Sequence, residues 1–148
     1  MSQLGAPLVL AAGLALALAT GGCAERKKIG ECNALIGVIN GGVDRIQQGT
    51  RVVPDAGMGG KELRDMADAM DQIAADGGKL QLTVSELQQF SKDYQAMTRE
   101  VAAAARELAA AYEKVDDDQM KKAQARMEKA VQREDPLVDS LNKFCRVP

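Results

Sequence analysis

The stretch that decides the fold is Leu87–Val115, "LQQFSKDYQAMTREVAAAARELAAAYEKV". Its apolar residues recur at alternating spacings of three and four, the pattern of a helix that buries one face in a coiled-coil-like seam. A helix of about 30 residues, some 45 Å long, is therefore predicted. Alanines in its middle favour the helix and let a neighbouring helix approach closely. The seam consists of Leu87, Phe90, Tyr94, Met97, Val101, Ala104, Leu108, Ala111 and Val115.

The boundaries of this helix are marked by polar residues. "TVSE", Thr83–Glu86, predicts a capping box at its start. "DDD", Asp116–Asp118, predicts the N-cap and acidic first turn of the next helix, with a metal site as the alternative. That second long helix has a kink or restart at Asp135 and Pro136, because proline removes a helical hydrogen bond. Its own seam is Met120, Ala123, Met127, Ala130, Glu134, Leu137, Leu141 and Phe144.

Two shorter elements precede these helices. Residues 61–76, "KELRDMADAMDQIAAD", predict a helix with Asp68 and Asp71 close together, either on an exposed polar face or as a carboxylate pair. Residues 32–48 predict a kinked helix, since their apolar stripe continues through two glycines, with a strand or hairpin as the alternative. The sequence therefore predicts an all-α, up-down four-helix bundle over residues 31–148, with two long C-terminal helices.

The amino-terminal segment differs from the rest of the chain. All 19 basic and 21 acidic side chains lie after Cys23. Leu8–Thr20 is an apolar run about 20 Å long as a helix, against about 30 Å of bilayer hydrocarbon. Two glycines then lead directly into Cys23. The run is too short to span a membrane comfortably and has the length of a signal-peptide core.

The segment ending at Cys23 resembles the signal peptides of bacterial lipoproteins, in which a short apolar or small tripeptide precedes an obligatory cysteine. The resemblance implies that residues 1–22 are a signal peptide that is removed, and that Cys23 is lipidated. Residues 23–30 would then be a lipidated tether, and acyl chains would hold the protein on the cell envelope. Ala24 and Glu25 lack the aspartate of inner-membrane retention, which favours the outer membrane. An ordinary signal peptide and a retained transmembrane anchor are the alternatives.

The other two cysteines fit each other. Cys32 lies at the start of the first predicted helix and Cys145 at the end of the last. In an up-down bundle of four helices these two ends lie at the same pole, and an exported protein meets an oxidising compartment. A Cys32–Cys145 disulfide is therefore predicted, with two separate buried thiols as the alternative.

Composition limits the function classes. The chain contains no histidine, which removes the usual general base and the commonest transition-metal ligand. We therefore expect no catalytic, metal or cofactor site, and the near balance of charge gives no reason to expect nucleic-acid binding. The prediction is a non-catalytic binding or scaffolding lipoprotein, with a protein partner and an oligomeric state that the sequence does not identify.

Two alternative functions remain open. One is a coiled-coil envelope spacer that oligomerises through its long helix. The other is a sensory bundle that holds a small apolar molecule near Met70, Met97 and Met127, although methionines at such positions are usually core residues.

Overall fold

A computed structural model describes residues 21–49 and 59–146, with side chains described for 24–47 and 59–146. These ranges contain five α-helices and no strand, so the all-α prediction is confirmed. Most of the predicted signal peptide, and the loop between the first two helices, lie outside them. The helices are α1 (Gly21–Gly49), α2 (Gly60–Gly78), α3 (Ser85–Lys114), α4 (Asp117–Val131) and α5 (Glu134–Cys145).

The helices pack as an up-down bundle around α3. Helices α1, α2, α4 and α5 all contact α3, and α1 also contacts α2 and α5. Arg64 near the start of α2 pairs with Glu113 near the end of α3, so these two helices are antiparallel. The end of α5 returns to the early part of α1. We call that end, with Cys32 and Cys145, the disulfide pole, and the end with the α3–α4 turn the turn pole.

The two ends of the bundle have different cores. At the disulfide pole, large side chains of α1, α2, α3 and α5 form one cluster, which includes Leu35, Ile73, Leu87 and Leu141. Towards the turn pole α2, α3 and α4 pack through small side chains. Ala67, Ala102 and Ala105 are completely buried there, and Leu63 and Leu108 are the large buried side chains in this half. The alanine content read from the sequence therefore corresponds to a closely packed seam.

The second long C-terminal helix is interrupted. Helix α4 ends at Val131 and α5 begins at Glu134, so the second long C-terminal helix is divided into two shorter ones. The restart predicted near Pro136 is confirmed, because this residue lies in the first turn of α5. Proline is tolerated in a first turn, where its missing N–H would have no helical partner.

The ends of α3 differ from the prediction in two ways. The N-cap is Val84, and no side chain of the predicted capping box caps the helix locally. At the other end, Val115 has a φ of 51° and is 80% exposed, so it terminates α3 and does not belong to the seam. The N-cap predicted for the next helix is confirmed, since Asp116 Oδ1 accepts a hydrogen bond from the Gln119 N–H at 3.0 Å.

Helix α1 is continuous through both glycines and begins at Gly21, ahead of the predicted tether. Residues 23–30 are therefore helical and lead directly into the bundle. Their charged residues have straight side chains with good helix propensity. Gly42 lies on the buried face of α1, where there is no room for a side chain. A Cβ at this position would lie 2.7 Å from Cγ1 and Cδ1 of Ile73 in α2.

The two adjacent glycines of α1 are expected to respond oppositely to alanine. Gly41→Ala should raise the free energy of unfolding by about 0.5–1 kcal/mol, because alanine favours the helix and a Cβ at Gly41 meets nothing within 4 Å. Gly42→Ala should lower it by about 1 kcal/mol or more, since overpacking against Ile73 exceeds the gain in propensity. Urea denaturation of the two variants provides the comparison, and equal gains would contradict this packing.

Candidate functional site

The disulfide pole contains the two cysteines that the sequence predicts to pair. The structure joins the sulfur atoms of Cys32 and Cys145, the predicted pair, with their Cα atoms 5.8 Å apart and 113 residues between them in sequence. This Cα separation is ordinary for a disulfide. Cys32 is 2% exposed and belongs to the apolar cluster of this pole. Cys23 lies nine residues earlier on the same helix.

Contacts with aromatic rings add to the disulfide that joins α1 and α5. Lys28 Nζ lies 4.2 Å from the centre of the Phe144 ring, next to Cys145 in α5. The Phe144 ring in turn packs against Phe90 of α3, with ring centres 5.9 Å apart. A lysine ammonium over an aromatic face contributes about 0.5–1 kcal/mol at an exposed site. The turns of α1 that follow Cys23 are therefore held against the bundle.

Glu31 of α1 supplies the cap that α3 lacks. Its carboxylate accepts hydrogen bonds from the Thr83 hydroxyl at 2.6 Å and from the backbone N–H groups of Thr83 and Val84 at 2.8 and 2.9 Å. These bonds, led by the one from the Thr83 hydroxyl, hold the pKa of Glu31 below its ordinary value. A carboxylate at a helix N-terminus also interacts favourably with the helix dipole. Glu31 thus attaches α1 to the start of α3.

The cap predicts a dependence of stability on pH. Because the folded-state pKa of Glu31 is lowered, its contribution is present above the unfolded-state value, near 4.3, and is lost as the pH falls through the folded-state value. Glu31→Gln should therefore lower the urea midpoint at pH 7, and its difference from the wild type should shrink below about pH 4. Glu25→Gln, an exposed change on the same helix, is the control. A difference that is constant from pH 7 to pH 3 would contradict the cap.

The other carboxylate groups singled out in the sequence have structural partners. Asp68 and Asp71 both pair with Arg106 of α3 at 2.7 Å, so they form an ion-pair bridge between α2 and α3. Within residues 21–49 and 59–146, no group of three or more acidic or cysteine side chains has an arrangement that could hold a metal ion. Asp116–Asp118 form the cap and acidic first turn of α4.

A cavity of about 230 Å³ lies where α4 breaks and α5 begins. It is bounded by α1, α2 and α3 as well as by this break. Met70 and Met97 line it, as the ligand-binding alternative expects, whereas Met127 packs into the core nearer the turn pole. Its apolar walls are Val43, Ile46, Met70, Met97, Val101 and Val131.

Polar groups face the same cavity. Its polar lining consists of Gln47, Tyr94, Thr98 and Glu134. Burial, and then the charge of Glu134, raise the pKa of Tyr94 to about 12. Burial, reinforced by Asp135, also raises the pKa of Glu134 above its ordinary value. The Thr98 hydroxyl donates to backbone carbonyls of its own helix at 3.1 Å. An apolar cavity thus contains one half-buried carboxylate beside a phenol.

The sequence contains one signal for this cavity. Glu134 occupies a seam position of the last helix, where an apolar residue is expected. A charged residue on a buried stripe indicates either a break in the helix or a polar site. Both are found here. The role of Glu31 was not predicted, whereas two of the three methionines named in the ligand-binding alternative line the cavity.

No protein-family model, curated protein or solved structure matches this chain. Across residues 21–49 and 59–146, none of the helices combines the length and the apolar character needed to cross a bilayer.

Proposed function

We propose that this chain is a bacterial envelope lipoprotein, anchored by lipid on Cys23, whose helical bundle is a non-catalytic binding or scaffolding domain. The anchor rests on the resemblance of the segment ending at Cys23 to lipoprotein signal peptides. Two or three acyl chains hold a protein on a membrane far more firmly than one chain does. The outer membrane is the proposed destination, because the two residues directly after Cys23 are Ala24 and Glu25 and not aspartate.

The observation that carries this proposal is the pairing of Cys32 with Cys145. The chain has three cysteines, and this pair leaves Cys23 as the remaining thiol. A disulfide also suits an exported protein, since the cytosol keeps thiols reduced. The cysteine pattern and the amino-terminal segment therefore support the same location.

Helix α1 would connect the lipid anchor to the bundle without an intervening loop. The helix that contains Cys23 continues into the bundle and is bonded to α5 at Cys32. The nine residues from Cys23 to Cys32 correspond to about 14 Å of helix. A lipid on Cys23 would therefore place the disulfide pole next to the membrane and direct the turn pole away from it.

A binding or scaffolding role fits the surface at the turn pole. Tyr112 is 47% exposed and Val115 is 80% exposed, so two large apolar side chains lie where a partner would approach. Val115 also holds a left-handed backbone conformation, which is uncommon for a β-branched residue and is usually taken by glycine. Most seam residues of α3 are buried within the same chain. Few of them are therefore exposed for oligomerisation, which disfavours the spacer alternative.

The anchor is tested by labelling cells that express the full chain with an alkyne analogue of palmitate. We expect label on the wild type and none on Cys23→Ser. The matched control is the double variant Cys32→Ser/Cys145→Ser, which should keep its label. Absence of label on the wild type, or label that persists in Cys23→Ser, would reject the anchor.

A further inference from the structure

A cavity lies beside the break between α4 and α5. It borders the main apolar core, because Tyr94 and Met97 belong to that core and also line the cavity. Val43 and Val131 line the cavity from α1 and α4 and are 36% and 45% exposed, so apolar side chains surround its opening. A cavity of about 230 Å³ is larger than the roughly 150 Å³ that accommodates benzene in an apolar protein interior. The space therefore suits a molecule of benzene size with a short substituent.

The polar groups in the cavity determine what that substituent is. Glu134 has no ion pair within the part of the chain that the structure describes, whereas its neighbour Arg133 pairs with Glu100 at 2.9 Å. The Tyr94 side chain is 4% exposed, and its hydroxyl makes no hydrogen bond among the described residues. A partly buried carboxylate without a counterion favours a cation, and a phenol ring offers a face to one.

We propose that this cavity binds a small apolar amine, with its hydrocarbon part against Met70, Met97 and Val101 and its ammonium group at the Glu134 carboxylate. The ammonium donates to Glu134 and supplies the missing positive charge. The Tyr94 hydroxyl is a second polar contact for the same group. The inference does not depend on the lipid anchor, because it rests only on residues inside the bundle.

The probe for this site is benzylamine, and toluene is its neutral counterpart of similar shape. The full chain with its disulfide intact is titrated with each probe and followed by amide chemical shifts. We expect saturable binding of benzylamine, with the shifts concentrated in residues 43–46, 94–101 and 131–134. Toluene should bind at least tenfold more weakly.

Variants then identify the contact. Glu134→Gln should weaken the binding of benzylamine at least tenfold and leave the binding of toluene unchanged, because it removes the charge of the side chain and keeps its shape. Glu128→Gln, which removes an exposed charge of α4 outside the cavity, should leave both unchanged. Val131→Phe, at a half-exposed position on the rim, should block both probes even if Glu134→Gln fails to fold. Absence of saturable binding, equal affinity for toluene, or benzylamine affinity that survives Glu134→Gln would overturn the proposal.

Discussion

Removal of the Cys32–Cys145 disulfide should lower the free energy of unfolding by about 4 kcal/mol, within a range of about 2–5 kcal/mol. The bond closes a loop that spans 113 residues, so its loss frees almost the whole bundle in the unfolded state. In the chain-entropy model the stabilisation grows with loop length and reaches about 4.7 kcal/mol for 100 residues, which places the expected loss near the upper end of the range. The value is measured by urea denaturation of Cys32→Ser/Cys145→Ser against the oxidised wild type.

The double variant also supplies its own control. A reducing agent should lower the stability of the wild type to that of Cys32→Ser/Cys145→Ser and leave the double variant unchanged. A loss below about 1 kcal/mol would mean that the pair contributes far less than the chain-entropy model gives. That result would contradict the structural role assigned to these cysteines.

The second large effect is expected in the half of the bundle towards the turn pole. Leu63→Ala should lower the free energy of unfolding by about 3 kcal/mol, because truncation of a buried leucine to alanine costs about 2–5 kcal/mol. Leu63 is 1% exposed and packs with Leu108 among alanines. The methionines around it are flexible and can fill part of the space, so the loss should fall below the upper limit.

The matched control for this prediction is Met66→Ala. Met66 is half-buried on the same helix and packs against the same cluster, so its truncation should cost less. Denaturation of both variants gives the comparison. A smaller loss for Leu63→Ala than for Met66→Ala would contradict the packing of α2 against α3 and α4.

Much of the fold could be predicted because it is determined by local pattern. The regular seam of α3 predicts a long helix, and Pro136 predicts the restart of the last one. The disulfide pairing follows from topology, since the first and last helix ends of an up-down bundle lie at one pole.

The features that were missed depend on contacts between residues far apart in sequence. The capping box failed because Glu31, 52 residues away from Thr83, takes both the hydroxyl and the N–H of that residue. The packing role of Gly42 was not predicted, because it depends on Ile73 in another helix. The cavity is lined by residues of α1, α2 and α3 as well as by the break between α4 and α5, so the spacing of the methionines alone could not give its position or its polar lining.

Intact-mass analysis of the protein isolated from bacterial membranes tests the central claim most directly. We expect a polypeptide that begins at Cys23, carries acyl groups at that residue and gains two hydrogen atoms on reduction. A chain with an unmodified amino terminus, or one that retains residues 1–22, would contradict the lipid anchor. An unchanged mass on reduction would contradict the Cys32–Cys145 bond, and with it the observation that leaves Cys23 as the site of attachment.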